Sequence, residues 1–102
     1  MPYVQKISAK QLNELREGDT PFFLIDVREK DEWDGGHING AVHIPLQTLS
    51  TEILKQVPDK KSKIVLYCAS GRRSQAGSEY LVLIGYEDVS NLDGGYGSYS
   101  QK

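Results

Sequence analysis

The sequence predicts an α/β fold: a central, mostly parallel five-stranded sheet with helices on both faces. Three observations lead there. Short apolar runs alternate with stretches whose apolar residues recur at helical spacing, the pattern of strand–helix–strand units. Two of the runs, residues 22–25 and 64–67, are continuously apolar, as strands covered on both faces are. Three strand ends are followed at once by polar or glycine-rich segments, 26–28, 68–73 and 93–95, and in parallel sheets ligand sites lie at the carboxyl ends of strands.

Residues 3–7 form the first strand candidate. Ser8 follows as a helix N-cap, Gln11 completes a capping box, and Ile7 and Leu12 are placed for a hydrophobic staple. That helix runs to about Glu17, with Leu12 and Leu15 facing in and Gly18 at its C-terminal cap. Residues 22–25 are the second strand. Residues 29–33 give one or two helical turns, stopped by Gly35 and Gly36. Residues 41–44 are the third strand, ended by Pro45. Leu46, Leu49, Ile53, Leu54 and Val57 then recur at helical spacing, and Pro58 closes that helix. Residues 64–67 are the fourth strand. Ala76, Tyr80, Leu83 and Ile84 define the inward face of the next helix, which ends at Gly85. Residues 88–92 are the last strand and lead into Asp93, Gly94 and Gly95.

Composition narrows the function. The 102 residues suffice for one domain over residues 1–102, but not for two with separate cores. Hydrophobic residues at 38% and charged residues at 25% fit an ordinary globular domain. Lys plus Arg is 12 against 14 Asp plus Glu, without the basic excess of a general nucleic-acid binder. No apolar run approaches the ~20 residues of a membrane span, and residues 1–6 hold no apolar signal core. A cytoplasmic location, with no nucleic-acid and no membrane partner, is expected. One cysteine excludes an internal disulfide and so a disulfide-stapled secreted scaffold. Two histidines and one cysteine in unrelated segments make no metal site, and no cofactor is expected.

The chemistry concentrates at Cys68, where a buried strand hands over to a helix through a glycine-containing turn. The amides of Ala69, Ser70 and Gly71 and the first free N–H groups of the helix converge there into a cradle for negative charge. Arg72 and Arg73 place two cations at the positive end of the helix dipole, a local cost that suggests an anion belongs there. Such surroundings lower a thiol pKa and make Cys68 a nucleophile. By position alone, a lone cysteine at a strand end reads as a small buried hydrophobe. The paired arginines after it tilt the reading towards chemistry. Arg72 taken alone reads as a solvated charge, and Arg73 has the better claim to attract an anionic substrate.

Four motifs in order resemble the rhodanese-like sulfurtransferases. They are Asp26-Val27-Arg28-Glu29; Glu32-Trp33 followed by Gly36-His37-Ile38, Gly40-Ala41 and Ile44-Pro45; Cys68, Gly71, Arg73 and Ser74; and Asp93-Gly94-Gly95 with Tyr99 where the family carries Trp. The resemblance covers nearly the whole chain and implies a single rhodanese-like domain. It implies a mechanism in which the Cys68 thiolate takes the outer sulfur of a donor such as thiosulfate. The resulting persulfide passes to a thiophilic acceptor, cyanide or a thiol, with a protein acceptor as a further partner. Covalent ping-pong catalysis of this kind needs no metal. A third reading is an arsenate or phosphate enzyme of the same fold, but dual-specificity phosphatases and arsenate reductases of that fold carry five residues between cysteine and arginine, where four stand here; Ser74 occupies the position that would need arginine, and Tyr67 that of the phosphatases' histidine. Both departures favour sulfur over phosphate. An alternative of another class is a persulfide carrier or sulfur-trafficking interaction module with little turnover of its own. Cys68, Gly71 and Arg73 favour catalysis, because degenerate binding modules often lack the cysteine.

The remaining candidates are supporting residues. Asp26 ends a buried strand, so its carboxylate must find donors, and it is expected to hold the active-site loop in shape from behind. Arg28 pairs with Glu32 or lines the pocket mouth. His37 reads as a structural histidine bonded to nearby backbone rather than a base. Trp33 reads as core. Tyr96 and Tyr99 flank the mouth or close the bottom of the fold.

Overall fold

The computed structural model describes residues 3–100. The elements follow in the order β1 (Gln5–Ile7), α1 (Ala9–Glu17), β2 (Phe23–Asp26), α2 (Lys30–Asp34), β3 (Val42–His43), a 3₁₀ turn (Leu46–Thr48), α3 (Leu49–Gln56), β4 (Lys63–Tyr67), α4 (Arg72–Leu83), β5 (Asp88–Leu92) and α5 (Gly95–Ser100). The strands form one sheet in the order β1-β5-β4-β2-β3. Every pairing is parallel, so the expected mostly parallel sheet is wholly so. Parallel neighbours need crossover connections, and the intervening helices supply them.

Side chains alternate across the sheet with period two. Ile25, Val27, Ile64, Leu66, Cys68 and Val89 face one side, where Leu49, Ile53 and Val57 of the α3 segment and Leu81 of α4 cover them. Leu24, Val65, Tyr67 and Leu92 face the other, against Leu12 of α1 and partly buried Tyr96 and Tyr99 of α5. With β4 at the centre and β2 and β5 beside it, segments 26–28, 68–73 and 93–95 emerge next to one another at one end of the sheet.

Local signals read well where their partners are local. The Ser8 capping box is present: the Gln11 N–H donates to Ser8 Oγ at 3.0 Å, and the Ser8 N–H donates to Gln11 Oε1 at 2.8 Å. β5 has the expected bounds. The first strand is shorter than expected and starts at Gln5, β2 is shifted by one residue, and only Val42 and His43 of the third run pair.

The inward face of α4 differs from the expected one. Leu83 is 82% exposed and Ala76 is exposed; the buried residues are Ser74, Gly77, Ser78 and Leu81. Small residues win because α4 lies close to its neighbours. A Cβ on Gly77 would stand 3.1 Å from Leu46, Leu49 and Leu66 methyl groups. Leu54, also expected inside, is 50% exposed. Trp33 lies outside both cores, stacked on His37 at 3.5 Å and His43 at 4.8 Å between ring centroids.

Ser78 leaves one polar atom at a loss. Its hydroxyl is buried without a hydrogen-bond partner, which costs about 1–3 kcal/mol of desolvation. Ser78→Ala keeps the close packing and removes the orphan group. It should raise the thermal midpoint, by about 4–8 °C per kcal/mol gained in a domain of this size. A lower midpoint in calorimetry would show that the hydroxyl has a partner in solution.

Candidate active site

Cys68 leaves the end of β4 and is 1% exposed. Its Sγ accepts the Gly71 N–H at 3.1 Å and the Ser74 N–H at 3.4 Å, with Ser74 Oγ also at 3.4 Å. Burial pushes the thiol pKa up. The Ser74 hydroxyl and the amides of Ser74, Gly71 and Ser70 outweigh it, so the pKa falls below its ordinary value of 9.0. Cys68 is the free cysteine of the chain.

The loop takes this shape because its carbonyls are drawn outward. The first turn of α5 donates Tyr96 N–H to the Cys68 carbonyl at 2.8 Å and Gly97 N–H to that of Ala69 at 3.0 Å. The following amides are thereby left to turn towards the sulfur. Gly71 makes the corner at φ 105°, a left-handed conformation that side chains resist. The corner is pinned from β5: Asn91 Nδ2 donates to the Gly71 carbonyl at 3.0 Å and to Gln75 Oε1 at 3.0 Å. Ser74 Oγ also lies 2.5 Å from Asn91 Oδ1, so its single proton is shared between that oxygen and the Cys68 sulfur.

Of the residues expected to bind substrate, Gly71 offers its amide to the sulfur, Ala69 is half-buried, and Ser70 and Arg72 are exposed. Arg73 has a partner that the sequence reading did not name. Its Nη1 and Nη2 donate to the two oxygens of Glu32 at 2.7 and 2.9 Å, a fork that joins α4 to α2. Arg73 lowers the Glu32 carboxyl most, against a smaller opposing effect of burial, to about 2. The pair therefore stabilises the fold above the ordinary carboxyl value of 4.5, and this contribution is lost as pH falls towards 2.

Arg28 does not pair with Glu32. Its Nε lies 3.0 Å from both oxygens of Asp26, its Nη2 donates to Asp26 Oδ2 at 2.8 Å, and the same Nη2 donates to the Gly36 carbonyl at 2.7 Å. The guanidinium lies over the rings of Tyr67 and Tyr96, 5.6 and 4.4 Å from their centroids. Asp26 and Arg28 make no hydrogen bond of their own to residues 68–73. They bear on the loop through Tyr67, which precedes Cys68, and Tyr96, which anchors its carbonyl. His37 Nδ1 meets the Trp33 carbonyl at 3.1 Å, as a structural histidine does. Tyr99 donates to Asn13 Oδ1 at 2.7 Å and ties α5 to α1.

Asn91 and the Glu32–Arg73 fork carry no mark in the sequence, since their partners lie 16 to 41 residues away. Among the described residues, no three His, Cys, Asp or Glu side chains gather where they could hold a metal ion. What the arrangement offers is a low-pKa thiol at the focus of backbone dipoles, suited to bearing negative charge on sulfur.

One prediction follows for Ser74. Hydrogen bonds to a thiolate favour it, so Ser74→Ala should raise the Cys68 pKa and shift the pH profile of iodoacetamide alkylation upward. An unmoved profile would mean that the amides alone hold the thiolate.

Comparison with known proteins agrees with this architecture. The chain matches the rhodanese-like domain over residues 8–102. It is 39% identical over 70 residues to thiosulfate sulfurtransferase PspE of Escherichia coli, covering 69% of this chain and 67% of that protein. It is 32% identical over 101 residues to a tRNA uridine(34) hydroxylase of Hamiltonella defensa, covering 93% of this chain but only 28% of the relative. Among solved structures, a rhodanese-like domain protein from Staphylococcus aureus superposes with a TM-score of 0.86 at 28% identity, covering 94% of this chain and 91% of that one. A rhodanese-related protein from Thermoplasma volcanium gives 0.80 at 28% identity, covering 95% and 91%. Sequence match, parallel topology and cysteine loop agree: the chain belongs to the rhodanese-like domain family.

Proposed function

We propose that this protein is a sulfurtransferase that moves a sulfane sulfur from a donor such as thiosulfate to cyanide or a thiol through a persulfide on Cys68. The observation that carries the reading is the Cys68 sulfur at the meeting point of the Gly71 and Ser74 amides, with its pKa lowered. In the first half-reaction the thiolate attacks the outer sulfur of thiosulfate. The S–S bond breaks, sulfite leaves with the electron pair, and the persulfide anion takes up the loop dipoles. In the second, the acceptor attacks the terminal sulfur, and the Cys68 thiolate is the leaving group. Its lowered pKa makes it a good one. The chain acts as one rhodanese-like domain, and a reducing compartment such as the cytoplasm suits a catalytic thiol without a partner cysteine. Ala69, Ser70 and Gly71 line the substrate cradle in this reading, and Arg72 and Arg73 set its charge. The hydroxylase relatives share this domain over 28% of their length, so their name does not carry over to the chain.

Intact-mass measurement tests the proposal. Incubation with thiosulfate should add one sulfur atom, ~32 Da, and excess cyanide should remove it, as covalent transfer through one thiol requires. A mass unchanged by thiosulfate, polysulfide and mercaptopyruvate would overturn the enzymatic reading in favour of an interaction module.

A further inference from the structure

The Arg73 guanidinium, at the start of α4, is held by a carboxylate. Both terminal nitrogens of Arg73 are engaged by Glu32, in two bonds of 2.7 and 2.9 Å. Glu32 is itself anchored, its Oε1 accepting the Glu29 N–H at 2.9 Å at the start of α2. The Arg73 pKa is raised first by Glu32 and to a smaller extent by the Cys68 sulfur. Arg72 is exposed to solvent, which screens it. The groups that hydrogen-bond the sulfur itself are two amides and a hydroxyl, which offer dipoles but no net charge.

We propose that Glu32 sets the charge of the sulfur donor accepted by this site. By offsetting Arg73 it disfavours the thiosulfate dianion and turns the site towards donors that carry a single negative charge overall, such as organic persulfides and thiosulfonates. The proposal deepens the sulfurtransferase reading and rests on it. The bond changes are the same for each donor: the S–S bond of the donor breaks, its outer sulfur joins Cys68 Sγ, and the electron pair leaves with sulfite from thiosulfate, a sulfinate from a thiosulfonate, or a thiolate from a persulfide.

The physical reasoning is one of charge number. A fixed carboxylate repels a dianion about twice as strongly as a monoanion at the same distance. The fork is about one-third exposed, with side-chain exposures of 37% for Arg73 and 30% for Glu32. Its influence is therefore moderate and salt-sensitive rather than absolute. Glu32 is thus a positioning and specificity residue that acts through Arg73, not a group that touches the reacting atoms.

The test compares thiosulfate with benzenethiosulfonate, which delivers the same sulfane sulfur with one charge fewer. Glu32→Gln keeps an oxygen to accept the Glu29 N–H and removes the charge. In this variant the ratio of kcat/KM for thiosulfate to that for benzenethiosulfonate should rise at least about threefold at low salt, and the gain should fade in high salt. Arg73→Gln, which leaves the carboxylate unopposed, should move the ratio the other way. A second readout needs no sulfur transfer: alkylation of Cys68 by iodoacetate and by iodoacetamide, which lose the same iodide but differ by one charge. Glu32→Gln should raise the iodoacetate-to-iodoacetamide rate ratio. If both ratios match wild type, Glu32 only fastens α2 to α4 and the proposal is overturned. If the alkylation ratio moves but neither donor loads sulfur on wild type, the sulfurtransferase reading fails, and the donor assignment with it, while the charge effect of Glu32 stands.

Discussion

Cys68→Ser should reduce sulfur transfer below about 1% of wild type while the protein remains folded. The two parts of this expectation have separate causes. Serine is nearly isosteric, and its hydroxyl can still accept the Gly71 and Ser74 amides that now converge on the sulfur. The loop is held chiefly by bonds that do not involve the sulfur: Tyr96 and Gly97 on its outer carbonyls, and Asn91 on Gly71. The chemistry, in contrast, has no substitute. Thiolate is made available by a lowered thiol pKa, whereas the same dipoles cannot bring an alkoxide within reach at neutral pH, and oxygen does not store sulfane sulfur. Steady-state transfer from thiosulfate to cyanide, read beside a thermal melt, checks both halves. Residual activity well above about 1% would remove Cys68 from the nucleophile's role.

Gly95→Ala should be the most damaging single-methyl change in the molecule. A Cβ there would stand 2.5 Å from the Cys68 carbonyl oxygen and 2.7 Å from the carbonyl carbon and oxygen of Ala69. These are backbone atoms, and they are the ones whose outward orientation lets the later amides turn towards the sulfur. The residue also sits at φ 58°, which adds strain for any side chain. Relief requires α5 to move away from the loop, which breaks the Tyr96 and Gly97 bonds to it. Overpacking and strain together should cost about 2–4 kcal/mol, a fall of at least about 10 °C in the midpoint. Activity should fall further than stability does, because the amide cradle loses its geometry even in molecules that remain folded. A variant with wild-type midpoint and wild-type kinetics would show that α5 is not what shapes the loop.

Features whose causes lie within a few residues were legible along the chain. The Ser8 capping box, the apolar run 64–67 of β4, the bounds of β5 and the placing of Cys68 at a strand-to-helix turn all follow from adjacent side chains and period-two or helical spacing. The family motifs were equally legible, being short and ordered along the chain. Residues whose partners are distant were settled by packing. The inward face of α4 could not be read from apolar spacing, because the approach of Leu46, Leu49 and Leu66 selects Gly77 and neighbouring small residues and sends Leu83 into solvent. Trp33 found a stack with His37 and His43 instead of the core. Asn91 became the anchor of Gly71 only once β5 lay beside β4. Arg73 shows no partner along the chain and becomes half of an ion pair in space, because folding brings Glu32, 41 residues away, to within 2.7 Å. Sequence pattern records which groups are charged or apolar; it takes the packed chain to fix which of them remain available, since pairing at a distance leaves no periodic trace.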